Sequence, residues 1–161
     1  MPLSPLRLVL VDDHEMVLHG LDAMLGHFAE QVAIVGHATT ATAALALVAG
    51  ERPDVVLCDV RIGKDSGLDL CRDITTLHPG TKVVLLTAYD DEHYLFQALR
   101  VGASGYVLKR VDGQELVGHL RRVREGETRH RPRAGRPGGA VRGTPQRRGV
   151  LVRCAPRPHP T

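Results

Sequence analysis

The sequence has few aromatic residues and no long apolar segment. Aromatic residues make up 3% of its 161 residues, and Trp is absent. No apolar run approaches the roughly 20 residues that a transmembrane helix needs. Residues 1–5 lack the basic segment and apolar stretch that begin a secretory signal peptide. We therefore expect a protein without a membrane span or a secretion signal.

Cysteine is also scarce. The three cysteines, Cys58, Cys71 and Cys154, are odd in number and match no metal-binding spacing. Neither a disulfide framework nor a structural zinc site is predicted from such a set. Reduced thiols are typical of intracellular proteins. The cysteine content therefore indicates a cytoplasmic protein.

Charge is distributed unevenly along the chain. Residues 1–126 hold 12 Lys and Arg against 17 Asp and Glu, whereas residues 127–161 hold nine Arg against one Glu. An acidic part of about 120 residues, enough for one domain, is therefore followed by a basic tail. The overall net charge of +3 describes neither part.

Strand-like and helix-like segments alternate through the acidic part. Short apolar runs predict strands at 6–11, 32–38, 54–59, 82–87 and 105–109. Segments with helical spacing follow them, beginning near His14, Thr39 or Thr40, Ser66, Asp90 or Asp91, and Asp112. This alternation predicts an α/β fold with a doubly wound five-stranded parallel sheet. The first and third strands are the most continuously apolar and should lie inside it. The segment after Asp59, through Gly63-Lys64-Asp65, is predicted as a loop.

Polar residues of particular kinds follow four of the predicted strands. Asp12 and Asp13 follow the first strand, and Asp59 ends the third. Thr87 ends the fourth strand and Lys109 the fifth. Each has a simpler interpretation alone, as a helix cap or a surface residue. Parallel strands, however, place all these ends at one edge of the sheet, where ligands bind in such folds.

The predicted cluster suits phosphoryl transfer. Three neighbouring carboxylates repel one another unless a divalent cation lies among them, and oxygen ligands suit Mg²⁺. A cation also reduces the repulsion between a carboxylate and a phosphate, while a hydroxyl and an ammonium can hold phosphoryl oxygens. These groups predict an acyl phosphate on Asp59. His14 borders the acidic pair, and we interpret it as a helix residue rather than a metal ligand.

Several motifs together resemble a known family. They are Val11-Asp12-Asp13-His14, Asp59 with Gly67 eight residues later, Thr87-Ala88, and Gly105-Tyr106-Val107-Leu108-Lys109. On these residues, positions 6–126 resemble the receiver domain of two-component response regulators, which has the flavodoxin-like or CheY-like fold. Segments 12–21 and 102–109 are most similar to the NarL/FixJ (LuxR-type) subgroup.

The resemblance implies partners and residue roles. It makes Asp59 the phosphoacceptor for a sensor histidine kinase, with Mg²⁺ (or Mn²⁺) as the cofactor. The implied ligands of the ion are Asp12, Asp13, Asp59 and the backbone carbonyl of Arg61. The implied phosphoryl-binding and switch residues are Thr87, Ala88, Tyr106 and Lys109. Tyr106 would move inward with Thr87 and alter a protein–protein or homodimer surface on the fourth helix, fifth strand and fifth helix.

An aspartyl-phosphate phosphatase is the alternative from another class. Such enzymes usually carry a second Asp two residues after the nucleophile, where this sequence has Arg61. We therefore expect a signalling protein and not an enzyme.

The basic tail leaves three interpretations open. Residues 1–5 form a short extension, 6–126 the receiver domain, and 127–161 an Arg-, Pro- and Gly-rich tail that we predict to be disordered. In the first interpretation, the chain is a stand-alone receiver or phosphoryl sink. In the second, its tail contacts nucleic acid through phosphates. In the third, the tail is an out-of-frame extension of a DNA-binding transcriptional regulator. In the third case DNA is a partner only through an output domain outside this frame. The tail lacks aromatic residues, which argues against specific single-strand binding.

Overall fold

The computed structural model describes residues 4–88 and 92–126. Its elements are β1 (Leu6–Val11), α1 (Glu15–Gly26), β2 (Val32–Ala38), α2 (Ala41–Glu51), β3 (Val55–Asp59), β4 (Arg61–Ile62), β5 (Asp65–Ser66), α3 (Gly67–Leu77), β6 (Lys82–Thr87), α4 (Glu92–Arg100), β7 (Gly105–Leu108) and α5 (Gly113–Glu125). The predicted helix start at Asp90 or Asp91, Cys154, residues 1–3 of the predicted extension and the whole predicted tail lie outside the described residues.

Five of the strands form one parallel sheet. Its order is β2-β1-β3-β6-β7, with β2 and β7 at the edges. All four neighbouring pairs are parallel, so the chain returns to the same edge through a helix after each strand. The predicted five-stranded parallel sheet is confirmed, and the first and third predicted strands, β1 and β3, lie inside it.

Apolar side chains form two clusters, one on each face of the sheet. Alternate residues of each inner strand point to opposite faces, as in β3, where Val56 and Cys58 join one cluster and Val55 and Leu57 the other. The first cluster packs against α2, α3 and α4, and the second against α1 and α5. Because both faces are covered, the inner strands need apolar residues at every position, which explains their continuous apolar runs.

Three helices begin at side chains that accept hydrogen bonds from backbone amides. Thr40 Oγ1 accepts from Ala43 at the start of α2, and Asp112 Oδ1 accepts from Glu115 at the start of α5. Ser66 does the same for the start of α3. These caps satisfy amides that have no partner within the helix, and they lie where the sequence predicts them. Within the described ranges, no helix is long and apolar enough to cross a membrane.

The segment after β3 is a hairpin and not the predicted loop. β4 and β5 pair antiparallel through Arg61 with Ser66 and Ile62 with Asp65. Gly63 begins the two-residue connection with a φ of 61°, a conformation that glycine adopts at little cost. Ile62 is buried in the first apolar cluster, which fixes one strand of the hairpin to the core. A pair of two-residue strands carries too little periodicity to be predicted from the sequence alone.

Candidate functional site

The predicted site residues meet at the edge of the sheet where the parallel strands end. A cavity of about 250 Å³ opens there. Its lining residues are Asp13, His14, Asp59, Val60, Arg61, Gly63, Thr87, Ala88 and Lys109. The structure thus brings together side chains from the ends of β1, β3, β6 and β7, as the strand order requires.

Asp12 lies beneath this cavity and is almost fully buried. One of its carboxylate oxygens, Oδ1, accepts a hydrogen bond of 2.9 Å from the backbone amide of His14. The other, Oδ2, is buried without a hydrogen-bond partner and lies 3.4 Å from the ammonium nitrogen of Lys109. Asp13 is more accessible, with 30% of its side chain exposed. The pair therefore combines an anchored buried carboxylate with one that faces the cavity.

Lys109 joins the carboxylates of two different strands. Its Nζ atom donates a hydrogen bond of 2.9 Å to Asp59 Oδ2 and forms the longer ion pair with Asp12. Lys109 follows the edge strand β7, whereas Asp59 ends the central strand β3. One ammonium group therefore holds the negative ends of β1 and β3 together.

Burial and charge shift the pKa values of Asp59 and Lys109. Burial raises the pKa of the Asp59 carboxyl, the Lys109 hydrogen bond opposes this, and the charge of Asp12 reinforces it. Partial burial disfavours the Lys109 ammonium, but its hydrogen bond to Asp59 and the charges of Asp59 and Asp12 outweigh burial and raise the pKa of Lys109. The ammonium is therefore firmly protonated, and it faces more than one negative charge.

The backbone after Asp59 is held close to the carboxylate. The Arg61 amide donates a hydrogen bond of 3.3 Å to Asp59 Oδ1. The backbone amide of Gly67 donates a hydrogen bond of 2.7 Å to the carbonyl of Val60. A Cβ atom at Gly67 would lie 1.9 Å from the carbonyl oxygen of Asp59. Only glycine allows this approach of two backbone segments. The glycine eight residues after Asp59 thus has a steric cause.

His14 lies against the acidic pair. It directly precedes α1, and its Nδ1 atom is 3.1 Å from Asp12 Oδ1 and 3.2 Å from Asp13 Oδ1. The sequence analysis interprets His14 only as a helix residue and leaves it out of the site. Its position immediately after two aspartates is the signal that could have placed it there.

The residues predicted to bind the phosphoryl group and to switch divide between the cavity and the core. Thr87 and Ala88 line the cavity, and Thr87 is buried at the end of β6. Tyr106 is not among the residues that line the cavity. It is 1% exposed and belongs to the apolar cluster beside α2, α3 and α4. In this structure the Tyr106 ring therefore occupies an inward position.

The residues at this edge fit a divalent cation. Asp12, Asp13, His14 and Asp59 each offer one ligand atom, and these atoms lie within 4.8 Å of one another. Three of them are carboxylates, the hard oxygen donors that Mg²⁺ prefers. Asp12 Oδ2, buried without a hydrogen bond, leaves negative charge that the single Lys109 ammonium does not balance.

Comparison with known proteins identifies relatives over most of the chain. Residues 8–121 match the response regulator receiver domain. The DNA-binding transcriptional activator DevR/DosR of Mycobacterium tuberculosis is 38% identical over 122 residues, which cover 76% of this chain and 56% of that protein. The oxygen regulatory protein NreC of Staphylococcus haemolyticus is 38% identical over 124 residues, covering 76% and 57%. The chain spans little more than half the length of these curated relatives.

Solved structures of response regulators are also similar to this chain. The signal receiver domain of the response regulator NarL from Mycobacterium tuberculosis superposes with a TM-score of 0.72 at 31% identity, covering 77% of this chain and 99% of that one. A LuxR-family two-component response regulator from Aurantimonas sp. SI85-9A1 superposes with a TM-score of 0.71 at 28% identity, covering 76% of this chain and 87% of that one. The resemblance to NarL-type regulators is thereby confirmed. This chain belongs to the response regulator receiver domain family, and its relatives include NarL- and LuxR-type regulators.

Proposed function

We propose that Asp59 is the phosphoacceptor of this receiver and that a sensor histidine kinase is its phosphodonor. Membership of the family already implies phosphorylation-dependent two-component signalling. The observation that carries the residue assignment is the 2.9 Å contact of Lys109 Nζ with Asp59 Oδ2 in a cavity that Asp13 and Thr87 also line. A carboxylate, an ammonium and a hydroxyl are thus available to one phosphoryl group.

The transfer forms one bond and breaks one. A carboxylate oxygen of Asp59 attacks the phosphorus of a phosphohistidine, so that an O–P bond forms and the N–P bond breaks. The released imidazole nitrogen takes up a proton from solvent. Lys109 and Thr87 then hold the phosphoryl oxygens of the resulting acyl phosphate. Lys109 already lies beside the acceptor and needs only to share its hydrogen bonds between Asp59 and the phosphoryl group.

The same proposal assigns the cation ligands. Asp12, Asp13, Asp59 and the backbone carbonyl of Arg61 hold Mg²⁺ (or Mn²⁺), with Asp12 acting directly or through water. When bound, the ion neutralises the charge of the incoming phosphate and of the carboxylates around it. The carboxylates of Asp12, Asp13 and Asp59 outnumber the Lys109 ammonium that pairs with two of them, and this supports the assignment.

We further propose that phosphorylation changes the surface formed by α4, β7 and α5. The backbone amide of Lys109 donates a hydrogen bond of 2.8 Å to the carbonyl of Thr87. Thr87 pairs with Leu108, and Leu85 pairs with Tyr106, in the ladder between β6 and β7. A shift of Thr87 toward a phosphoryl group therefore acts directly on the strand that carries Tyr106. The altered surface serves a partner protein or a second copy of this chain.

The proposed output is control of transcription rather than turnover of a substrate. DevR/DosR is named as a DNA-binding transcriptional activator, but the match covers 56% of its length. Contact with DNA by this protein would require an output region outside the receiver. Acting as a stand-alone receiver or phosphoryl sink is the alternative role.

Mass spectrometry of the intact full-length chain tests the acceptor. Treatment with acetyl phosphate and Mg²⁺ should add one phosphoryl group, and Asp59→Asn should abolish the addition. Asp69→Asn is the matched control, because Asp69 is an exposed carboxylate on α3 outside the cavity. Modification of Asp59→Asn at the wild-type level would show that another residue is the acceptor. Chelation by EDTA should prevent modification of the wild type.

A further inference from the structure

We propose that His14 provides a nitrogen ligand to the cation of this site, so that the site binds transition-metal ions such as Co²⁺ and Mn²⁺ in preference to Mg²⁺. The inference deepens the proposed cation site of Asp12, Asp13 and Asp59, and it depends on that site. It adds a metal specificity that carboxylates alone do not provide.

The spacing of the donor atoms is that of neighbouring ligands on one ion. Two adjacent ligands of an octahedral ion with bonds of about 2.1 Å lie about 3.0 Å apart. Nδ1 of His14 lies 3.1 Å from Asp12 Oδ1 and 3.2 Å from Asp13 Oδ1. The full set with Asp59 spans up to 4.8 Å, slightly more than the about 4.2 Å between opposite ligands of such an ion. A bound cation would remove the repulsion among the carboxylates and draw the set together.

The backbone holds His14 beside the carboxylates, while the helix does not use its ring. The amide of His14 is bound to Asp12 Oδ1 at 2.9 Å, which fixes the residue over the acidic pair. His14 occupies the position before α1, yet its side chain makes no capping hydrogen bond to the helix. Without a cation, an Nδ1–H group can be shared by the two carboxylates. The other neutral tautomer presents a lone pair from the same nitrogen.

A nitrogen donor changes which metals the site favours. Mg²⁺ prefers oxygen ligands, whereas imidazole suits transition metals, whose affinities for a given site rise from Mn²⁺ to Co²⁺. A site with three carboxylates and one imidazole should therefore bind Co²⁺ most tightly, Mn²⁺ less tightly and Mg²⁺ least. Without the imidazole, the advantage of the transition metals should shrink.

Calorimetric titration of the full-length chain with Mg²⁺, Mn²⁺ and Co²⁺ measures this preference. His14→Gln keeps an amide that can hydrogen-bond the carboxylates, and His14→Ala removes both functions. Both variants should lose Co²⁺ affinity by about tenfold more than they lose Mg²⁺ affinity. His19→Ala is the matched control, because His19 is an exposed residue of α1 outside the cavity, and it should behave as the wild type. An equal loss for all three metals would overturn the proposal.

Pulsed EPR of the Mn²⁺-loaded chain reports the ligand directly. The wild type and His19→Ala should show a nitrogen hyperfine coupling that His14→Gln lacks. A spectrum without nitrogen coupling in the wild type would overturn the role of His14. Mg²⁺-supported phosphorylation of the wild type, measured on the same sample, tests the proposed function separately. If phosphorylation proceeds without nitrogen coupling, only the inference about His14 fails.

Discussion

In the metal-free protein, burial makes the charged form of the Asp59 side chain unfavourable. This side chain is 11% exposed, and burial raises its pKa even though Lys109 lies 2.9 Å away. A carboxyl whose pKa is higher in the folded than in the unfolded protein binds protons more tightly when folded. Stability therefore falls as the pH rises from the unfolded-state pKa of this carboxyl to its folded-state pKa, and the penalty is fully present above the folded-state pKa.

Replacing this carboxyl should stabilise the metal-free protein. Asp59→Asn removes the buried charge, so its melting temperature at neutral pH in EDTA should exceed that of the wild type by a few degrees. The gain should vanish below the usual carboxyl pKa, where the wild-type side chain is protonated in both states. Added Mg²⁺ should stabilise the wild type more than the variant. Calorimetry across pH checks this, and a wild type more stable than Asp59→Asn in EDTA would contradict it.

Gly67 shows how a single missing side chain shapes the site. A Cβ atom there would lie 1.9 Å from a backbone oxygen, which cannot move aside as a flexible side chain can. Gly67→Ala should therefore lower the free energy of unfolding by at least about 3 kcal/mol. Gly20→Ala is the control, since a Cβ on this α1 glycine meets no atom within 4 Å. It should raise stability by about 0.5–1 kcal/mol, measured by urea unfolding, and equal effects of the two changes would contradict this account.

Single residues were predictable where their position along a strand determines their neighbours. Asp59 and Thr87 end parallel strands and Lys109 directly follows one, so their meeting at one edge follows from the fold. The ring of His14 could not be placed in this way, because the residue follows the strand end and its side chain can turn either to the helix or to the carboxylates. The structure shows the second arrangement. Side-chain direction in a connection depends on contacts between segments, which the sequence does not display.

At the scale of elements, strands were predictable and the hairpin was not. β1, β2 and β6 begin and end at the predicted residues, because burial on both faces requires continuous apolar runs. β4 and β5 depend instead on the buried Ile62, the positive φ of Gly63 and a contact with another helix. In that contact, Asp65 Oδ2 accepts a hydrogen bond of 3.1 Å from the amide of Ala41 at the start of α2. The hairpin that follows Asp59 is thus attached to α2.

Loss of the hydrogen bond between Asp65 and Ala41 should slow phosphorylation at the site more than it destabilises α2. Asp65→Ala should slow phosphorylation of Asp59 by acetyl phosphate several-fold, because the hairpin carries Arg61 next to the acceptor. Asp65→Asn retains a side-chain oxygen that can accept the hydrogen bond, so it should restore most of the rate. Phosphorylation kinetics followed by intact mass measure the effect.

Thr40→Ala is the control for this element. Thr40 caps the same helix by accepting a hydrogen bond from the Ala43 amide, whereas Asp65 reaches the helix from the hairpin. Its loss should cost about 1 kcal/mol of stability, as is usual for a helix cap, with little change in phosphorylation rate. If Thr40→Ala and Asp65→Ala slow phosphorylation equally, the attachment of the hairpin is not the cause.

At the scale of the whole molecule, the described residues between 6 and 123 build two apolar clusters. Each cluster is filled by strands and helices of the described chain, on opposite faces of one sheet. A chain ending at Gly126 should therefore unfold cooperatively, with a free energy of unfolding within about 1 kcal/mol of the full chain. It should also retain phosphorylation at Asp59. Denaturant titration of both chains tests this, and a non-cooperative transition in the shorter chain would contradict it.

The ion pair between Lys109 and Asp59 also has a consequence for folding kinetics. Its two residues are 50 positions apart, and in the folded protein the pairing of β6 with β3 and of β7 with β6 brings them together. Parallel pairings of this kind form late, because long loops must close before the contacts that reward them. A partly folded chain therefore has an Asp59 without its ammonium partner. We therefore expect the proposed phosphoryl site to form only late in folding.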